Sequence, residues 1–174
     1  MARVRIATLG DLDVLVRHRR KMFEAMSVGT PAELDGMDRR YRRWTRDRLR
    51  SGRLVAFVVE GPRGRIAASA GLWLMPLPPR PWTPGDVAPY LMSMYTERED
   101  RGNGYATRLV RAAIRWAKAH GHSIVLLHAS EQGRRIYEGL GFTPTSEMRL
   151  RMDVSKRTAG SRSRPARRAL RHGA

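Results

Sequence analysis

The order of elements legible in the sequence, β-α-α-β-β-β-α-β-α-β, predicts a mixed α/β or α+β fold built on one central sheet. Three observations carry that expectation. Two apolar runs at 53–60 and 65–77 flank the turn former "GPRG", the signature of a β-hairpin. A long amphipathic segment follows the glycine pair Gly102 and Gly104, which predicts a helix entered from a tight loop. The apolar stretch "SIVLLHA" at 123–129 lies between two helical segments and reads as a buried strand. A chain of 174 residues, 41% hydrophobic and 29% charged, is long enough for one domain with a core of its own.

The elements follow in order. "RVRIA" at 3–7 alternates and predicts a short strand. In 8–26, Leu12, Leu15, Val16, Met22 and Phe23 share one face of a helix. The segment 31–52 starts with Pro31 and stops at Ser51-Gly52, and predicts a second, very basic helix. After the hairpin, "PLPPRPWTPGD" is a proline-rich loop. "YLMSMYT" at 90–96 is a strand, and the helix beyond the glycines runs to His120, with Gly121 as its C-terminal cap. "EQGRRIYEGLG" is a short helix ended by Gly141, and "TPTSEMRLRM" alternates as a last strand.

Charge is the strongest bias in the composition. Lys and Arg number 34 against 16 Asp and Glu, a net charge of +18. No acidic residue follows Asp153, while Lys156, Arg157, Arg162, Arg164, Arg167, Arg168 and Arg171 do. The stretch 154–174 is poor in apolar residues and is expected to be a disordered tail, leaving a domain at 1–153 that still carries about +11. Such charge attracts polyanions and anionic ligands without selecting one. The chain has no cysteine, which excludes disulfides, thiolate zinc sites and a cysteine nucleophile. Its N-terminal segment has no signal-peptide pattern, and its longest apolar run, about a dozen residues, is too short to span a bilayer. The expected location is cytoplasmic.

A glycine loop feeding a helix N-terminus is suited to an anion, usually phosphate. No lysine follows these glycines, so the nucleotide-binding P-loop is excluded. A dinucleotide fold needs a third glycine where Thr107 stands, and an acidic residue ending the next strand, which runs to Ser130. What does match is Arg101-Gly102-Asn103-Gly104-Tyr105-Ala106, which resembles the [QR]-x-x-G-x-[GA] signature of the GNAT family, the GCN5-related N-acetyltransferases. Downstream, "SEQGRRIYEGLGF" is similar to that family's second half, often N-x-x-A-x-x-[LI]-Y-x-x-x-G-F, with Ile136, Tyr137, Gly141 and Phe142 in register. The matching stretch covers 90–142.

The resemblance implies a mixed, mostly antiparallel central sheet flanked by helices, and acetyl-coenzyme A as the cofactor. Backbone N–H groups of Gly102, Asn103, Gly104, Tyr105, Ala106 and Thr107, with Arg101 beside them, would face its diphosphate at the positive end of the helix. The pantetheine arm would lie along Met94, Tyr95 and Thr96 as an added strand, bonded to the amides of Met94 and Thr96. A free amine would attack the thioester directly, without an acyl-enzyme. Tyr137 matches the tyrosine that protonates the departing sulfur. Ser130 stands where the family often has asparagine, and is placed either to bond the pantetheine or to cap the helix behind it. Arg98 replaces a common proline.

Removing the ammonium proton needs a base or water. Glu97 at the strand end, His128 at the end of the next strand and Glu24 on the first helix are the candidates. His120 and His122 straddle a helix end and suit its dipole, and no metal is expected. Arg19, Arg20, Arg39, Arg40, Arg42 and Arg43 read first as a solvated face, and are candidates for an acidic or phosphorylated acceptor. The stripe Arg108, Arg111, Arg115 and Lys118 reads the same way. The partner expected is an amine acceptor, small molecule or peptide, with a homodimer common in the family. Two other readings stand beside this one: an RNA- or ribosome-associated protein, whose basic tail makes weak nucleic-acid contact, and an acyl-coenzyme A-binding regulator without transfer activity.

Overall fold

Continuous apolar runs make the middle of the sheet, because both of its faces are covered. The computed structural model describes residues 2–81 and 85–150. Five strands, β1 (Arg3–Ile6), β2 (Leu54–Glu60), β3 (Ile66–Pro76), β4 (Val87–Thr96) and β5 (Leu126–Leu127), lie side by side in that order. The first four are antiparallel neighbours and β5 joins β4 in parallel. The helices are α1 (Leu12–Ala25), α2 (Pro31–Arg50), α3 (Tyr105–Ala119) and α4 (Glu131–Glu138). The chain is thus a mixed sheet flanked by helices, as the sequence predicts.

Strand alternation sorts the core. Phe57 and Val59 point to one face with Ala68, Ala70 and Leu72, where Leu109, Val110, Ala113 and Ala117 of α3 close over them. Ala56 and Val58 point to the other, against Leu15 of α1. Leu12 and Val16 of α1 meet Tyr41 of α2 beside Met92. Small alanines at 68, 70 and 113 let α3 approach the sheet closely.

Caps set the helix starts. A single 3-10 turn, Leu9–Asp11, precedes α1 and occupies the start of the helix expected over 8–26; Thr8 caps it, and Asp11 accepts from the Thr8 amide and from the Arg5 fork. Hydrogen bonding from Arg5 holds the Asp11 carboxyl below the usual carboxylate range against the opposing effect of burial. Thr30 and Glu33 form a reciprocal capping box in front of Pro31, and α2 ends at Ser51 with Gly52 at φ 70°.

Three expectations need correction. β4 starts at Val87, ahead of Tyr90. β5 is two residues long where 123–129 was expected, because only Leu126 and Leu127 find a partner strand. The alternating segment 143–152 forms no strand over 143–150, and Met148 and Leu150 lie exposed; alternation supplies a face but not a ladder to join. One compact unit spans Met1–Thr143 and a second begins at Pro144. Residues 82–84 of the proline-rich loop, 151–152 of the last expected strand and the basic tail at 154–174 lie outside the described residues. Among the described residues no helix is long and apolar enough to cross a membrane.

Leu109 is fully buried between α3 and the sheet, so Leu109→Ala is expected to cost about 3 kcal/mol of stability. Thr30→Ala, which removes only the α2 cap, should cost about 1 kcal/mol. Urea unfolding of the two variants measures the difference; equal costs would contradict the packing described.

Candidate functional site

The site begins where two strands part. Tyr90 pairs with Leu126 and Leu91 with Leu127, and there the β4–β5 ladder ends. β4 continues to Thr96 bonded only to β3, so from Met92 onward its other edge is open among the described residues. A bulge lies at the parting. Met92 pairs with Gly71 and Tyr95 with Ser69, so β4 carries one residue more than β3 across this interval. Ser93, inside the bulge, has φ 53°, a left-handed conformation uncommon for a residue with a side chain. Two donors hold it there: Arg19 Nη1 at 2.6 Å and the Tyr41 hydroxyl at 3.2 Å, both to Ser93 Oγ. Beyond the bulge the Glu97 amide donates to the Ala67 carbonyl of the β3 side at 2.9 Å. Alternation therefore turns the Thr96 amide to the open edge.

The glycine loop follows directly. Arg65 donates to Glu99 and Asp100 and pins the 3-10 turn Arg98–Asp100. Asn103 Nδ2 donates back to the Asp100 carbonyl at 3.0 Å, closing the turn. Arg101 Nε reaches the Thr96 carbonyl at 3.4 Å, which ties the loop to the strand end. Gly102 and Gly104 have φ of 82° and 70°. A Cβ at either would meet no atom within 4 Å, so backbone handedness rather than crowding selects glycine. Gly104 caps α3 without any side-chain hydrogen bond. The first helical bond runs from the Arg108 amide to the Gly104 carbonyl, and the amides of Tyr105, Ala106 and Thr107 precede it with no intrahelical acceptor.

Across the open edge stands α4. Ser130 Oγ accepts from the Gly133 amide at 3.2 Å and caps the helix. One turn on, the half-buried Tyr137 points its hydroxyl at Met94 Sδ, 3.9 Å away, with its ring edge-on to Phe142. Burial raises the pKa of the phenol. Gly133, which the sequence reading passed over, makes this seat: a Cβ there would stand 3.0 Å from the Tyr137 ring and 3.2 Å from Ser130 Oγ. A small residue four positions before a tyrosine in a capped helix is the signal that could have found it. The structure thus brings Tyr137 to Met94, and sets residues 101–107 at the end of the same strand.

The three candidate bases fall in different places. Glu24 is exposed on α1 and accepts from Arg20 at 2.9 Å. His128 bonds the Tyr90 hydroxyl, at the paired end of β4 rather than its open end. Glu97 is buried and takes both oxygens to Lys21 Nζ, at 2.9 and 2.7 Å. Burial works to raise its carboxyl; the Lys21 hydrogen bond and neighbouring positive charge outweigh this and hold it below the ordinary range. Beneath lies a group that sequence reasoning missed. His18, with no solvent exposure, places Nδ1 2.9 Å from Ser69 Oγ and Nε2 3.2 Å from Glu97. Burial depresses the imidazole to about 4, so it is neutral at pH 7. Among the described residues no cluster of three His, Cys, Asp or Glu could hold a metal.

A model of the acetyltransferase (GNAT) family matches residues 14–142, most of the chain. The chain belongs to the GNAT acetyltransferase family. The solved structures agree with this GNAT assignment. A GCN5-related N-acetyltransferase from Ralstonia eutropha JMP134 is 29% identical with a TM-score of 0.80, over 87% of this chain and 99% of that one. A predicted acetyltransferase from Clostridium acetobutylicum, solved with acetyl-CoA, is 27% identical with a TM-score of 0.79, over 88% and 96%. Glucosamine-6-phosphate N-acetyltransferase from Arabidopsis thaliana shares the fold at 18% identity and a TM-score of 0.62, over 88% and 99%. No curated protein sequence gives a significant match.

The buried His18 of this GNAT domain has a pH signature. Its folded pKa, about 4, lies below the ordinary 6.5, so the unfolded chain takes up the proton first. Its contribution is complete above pH 6.5 and is lost as pH falls toward 4; the depressed Glu97 acts in the same direction at lower pH. The melting temperature should fall across that window, and His18→Gln should flatten the fall. Thermal melts from pH 7 to 4 check this, and an unchanged slope in the variant would contradict it.

Proposed function

We propose that the chain moves an acetyl group from acetyl-coenzyme A to a primary amine, both substrates being bound together. The observation that supports this best is the open edge of β4 from Met92 to Thr96, with the glycine turn at one end and the Tyr137 hydroxyl beside Met94. The solved Clostridium neighbour with acetyl-CoA supports the choice of donor.

The residues present fit that group. Amides of Gly102 through Ala106 form a concave, uncapped set at the positive end of α3, suited to a diphosphate. The edge of β4, through the amides of Met94 and Thr96, accepts the amide-bearing pantetheine arm as a further strand. Acetyl-coenzyme A supplies the acetyl group as a thioester, whose C–S bond breaks as the amine forms the C–N bond. Tyr137 is the proton donor for the departing sulfur: its raised pKa keeps it protonated at neutral pH. Ser130 acts as the cap that fixes α4, and so as a support for Tyr137. Each candidate base already has a partner, Lys21 for Glu97, Arg20 for Glu24 and Tyr90 for His128. These engagements support water as the acceptor of the ammonium proton.

Two outcomes are expected. Acetyl-coenzyme A should raise the melting temperature, and Gly104→Glu, which sets a carboxylate against the anion site, should abolish the rise. Because any side chain at φ 70° costs about 1 kcal/mol, Gly104→Ala is the control: it should fold and keep part of the response. An undiminished shift in Gly104→Glu would refute the loop assignment. Tyr137→Phe should lower kcat by about 10- to 100-fold with acetyl-coenzyme A affinity little changed, read by coenzyme A release and calorimetry. Full activity would remove the tyrosine from the reaction.

A further inference from the structure

Helix α1 carries three cations in succession, and the fold neutralises two of them. Arg20 donates to Glu24, Asp35 and Asp38. Lys21 donates to both oxygens of Glu97. Arg19 has no carboxylate within salt-bridge distance among the described residues. Its one hydrogen bond there is the Nη1 donation to Ser93 Oγ at 2.6 Å. Its Nε is shut off from solvent without a partner. Two rings hold the guanidinium in place, Phe23 at 5.0 Å and Tyr41 at 4.5 Å from their centroids. A half-buried guanidinium with no carboxylate partner is unfavourable until an anion completes it, and Nη2 is unbonded among the described residues but, unlike Nε, not shut off from solvent. The stacking removes rotational freedom in advance, so its planar fork is set for a planar acceptor.

Position makes this more than an odd arginine. Ser93, which Arg19 grips, is the left-handed residue of the β4 bulge and the immediate neighbour of Met94. Met94 is the residue that Tyr137 reaches across the open edge. Arg19 comes to β4 from α1, whereas Tyr137 comes from α4, so the two side chains reach adjacent residues of one strand from different elements. Left-handed residues with side chains recur at functional sites, where the surroundings over-determine them.

We propose that Arg19 is the specificity-determining residue of the acceptor site, and that the acceptor is an amine carrying a carboxylate, which Arg19 binds. This deepens the function proposed above and rests on it. Charge matching favours carboxylate over phosphate. Among the described residues, the guanidinium bonded to the bulge has no carboxylate partner, whereas Lys21 is already held by Glu97 and Arg20 by its three partners. A singly charged carboxylate balances it, whereas a phosphate monoester near −2 would call for a second cation.

The test compares amino acids with their carboxamides as acceptors, at equal concentration and with saturating acetyl-coenzyme A. Each pair differs only in the anionic group. The blocked carboxyl also lowers the basicity of the amine, so any bias in free amine favours the amide. Initial rates are read by coenzyme A release, and binding by the thermal shift of the coenzyme A-saturated protein. Wild type should favour the acid by about 10- to 100-fold in kcat/KM, mostly through KM, and only the acid should add to the thermal shift. Arg19→Gln should lose that preference while still binding acetyl-coenzyme A by calorimetry, because the Tyr41 hydroxyl keeps its bond to Ser93 Oγ; Arg19→Lys, which keeps the charge without the fork, should fall between. A wild type that binds acetyl-coenzyme A but treats acid and amide alike overturns the acceptor assignment alone, as does a preference that survives in Arg19→Gln. A wild type that binds no acetyl-coenzyme A overturns it together with the donor reading.

Discussion

The parting of β4 from β5 after Leu91 is the constraint on which the rest depends. A strand with one edge unpaired is normally a liability, because its amides invite another chain. Here the edge is kept open by what lies on either side of it. On the α1 side, Ser93 and its two donors lock the bulge, and the set Ser69, His18, Glu97 and Lys21 ties α1 to β3 and to the end of β4. On the other side, α3 buries Leu109, Val110 and Ala113 against the sheet, and α4 leans Tyr137 toward Met94. A buried polar set of this kind stabilises only while each member keeps its partner, so it fixes the position of α1 more than it adds net stability.

From that opening the chemistry follows by position. The same strand that offers its edge runs directly into the glycine turn, and Arg101 bonds back to Thr96 to hold the two together. A long, anionic, amide-bearing substrate fits such an arrangement. Its charged end meets the uncapped start of α3, and its extended arm meets strand amides. In the proposed reaction the neutral His18 and the low Glu97 serve as scaffold and the phenol of Tyr137 is the proton-bearing group at the edge.

The parts legible in the sequence are those fixed by local rules. Gly102 and Gly104 stand out because only glycine takes a positive φ without strain, and α3 starts at Tyr105 where its amphipathic period begins. The capping box at Thr30 and the stop at Gly52 set α2. Tyr137 was placed by the register of "RRIYEGLGF", and it meets Met94, 43 positions away. What stayed hidden depends on distant partners. The bond between His18 and Ser69 spans 51 positions and that between Arg19 and Ser93 spans 74; no local pattern marks either. Arg19 and Arg20 look alike in sequence, yet three carboxylates neutralise one and none of the described residues neutralises the other. The run at 123–129 reads as a full strand because Val125 and Leu127 are apolar; both pack against the core under α3, but only Leu126 and Leu127 join the ladder. The segment 143–150 alternates but forms no strand.

The central claim is that the open edge of β4 and the turn after it are one receptor for acetyl-coenzyme A. Amide hydrogen exchange, followed with and without acetyl-coenzyme A, tests it residue by residue. Slowed exchange at Met94 and Thr96 together with Gly102 through Ala106, and little change along β2, is the result this account requires. Saturating acetyl-coenzyme A that leaves those amides exchanging as before would contradict it.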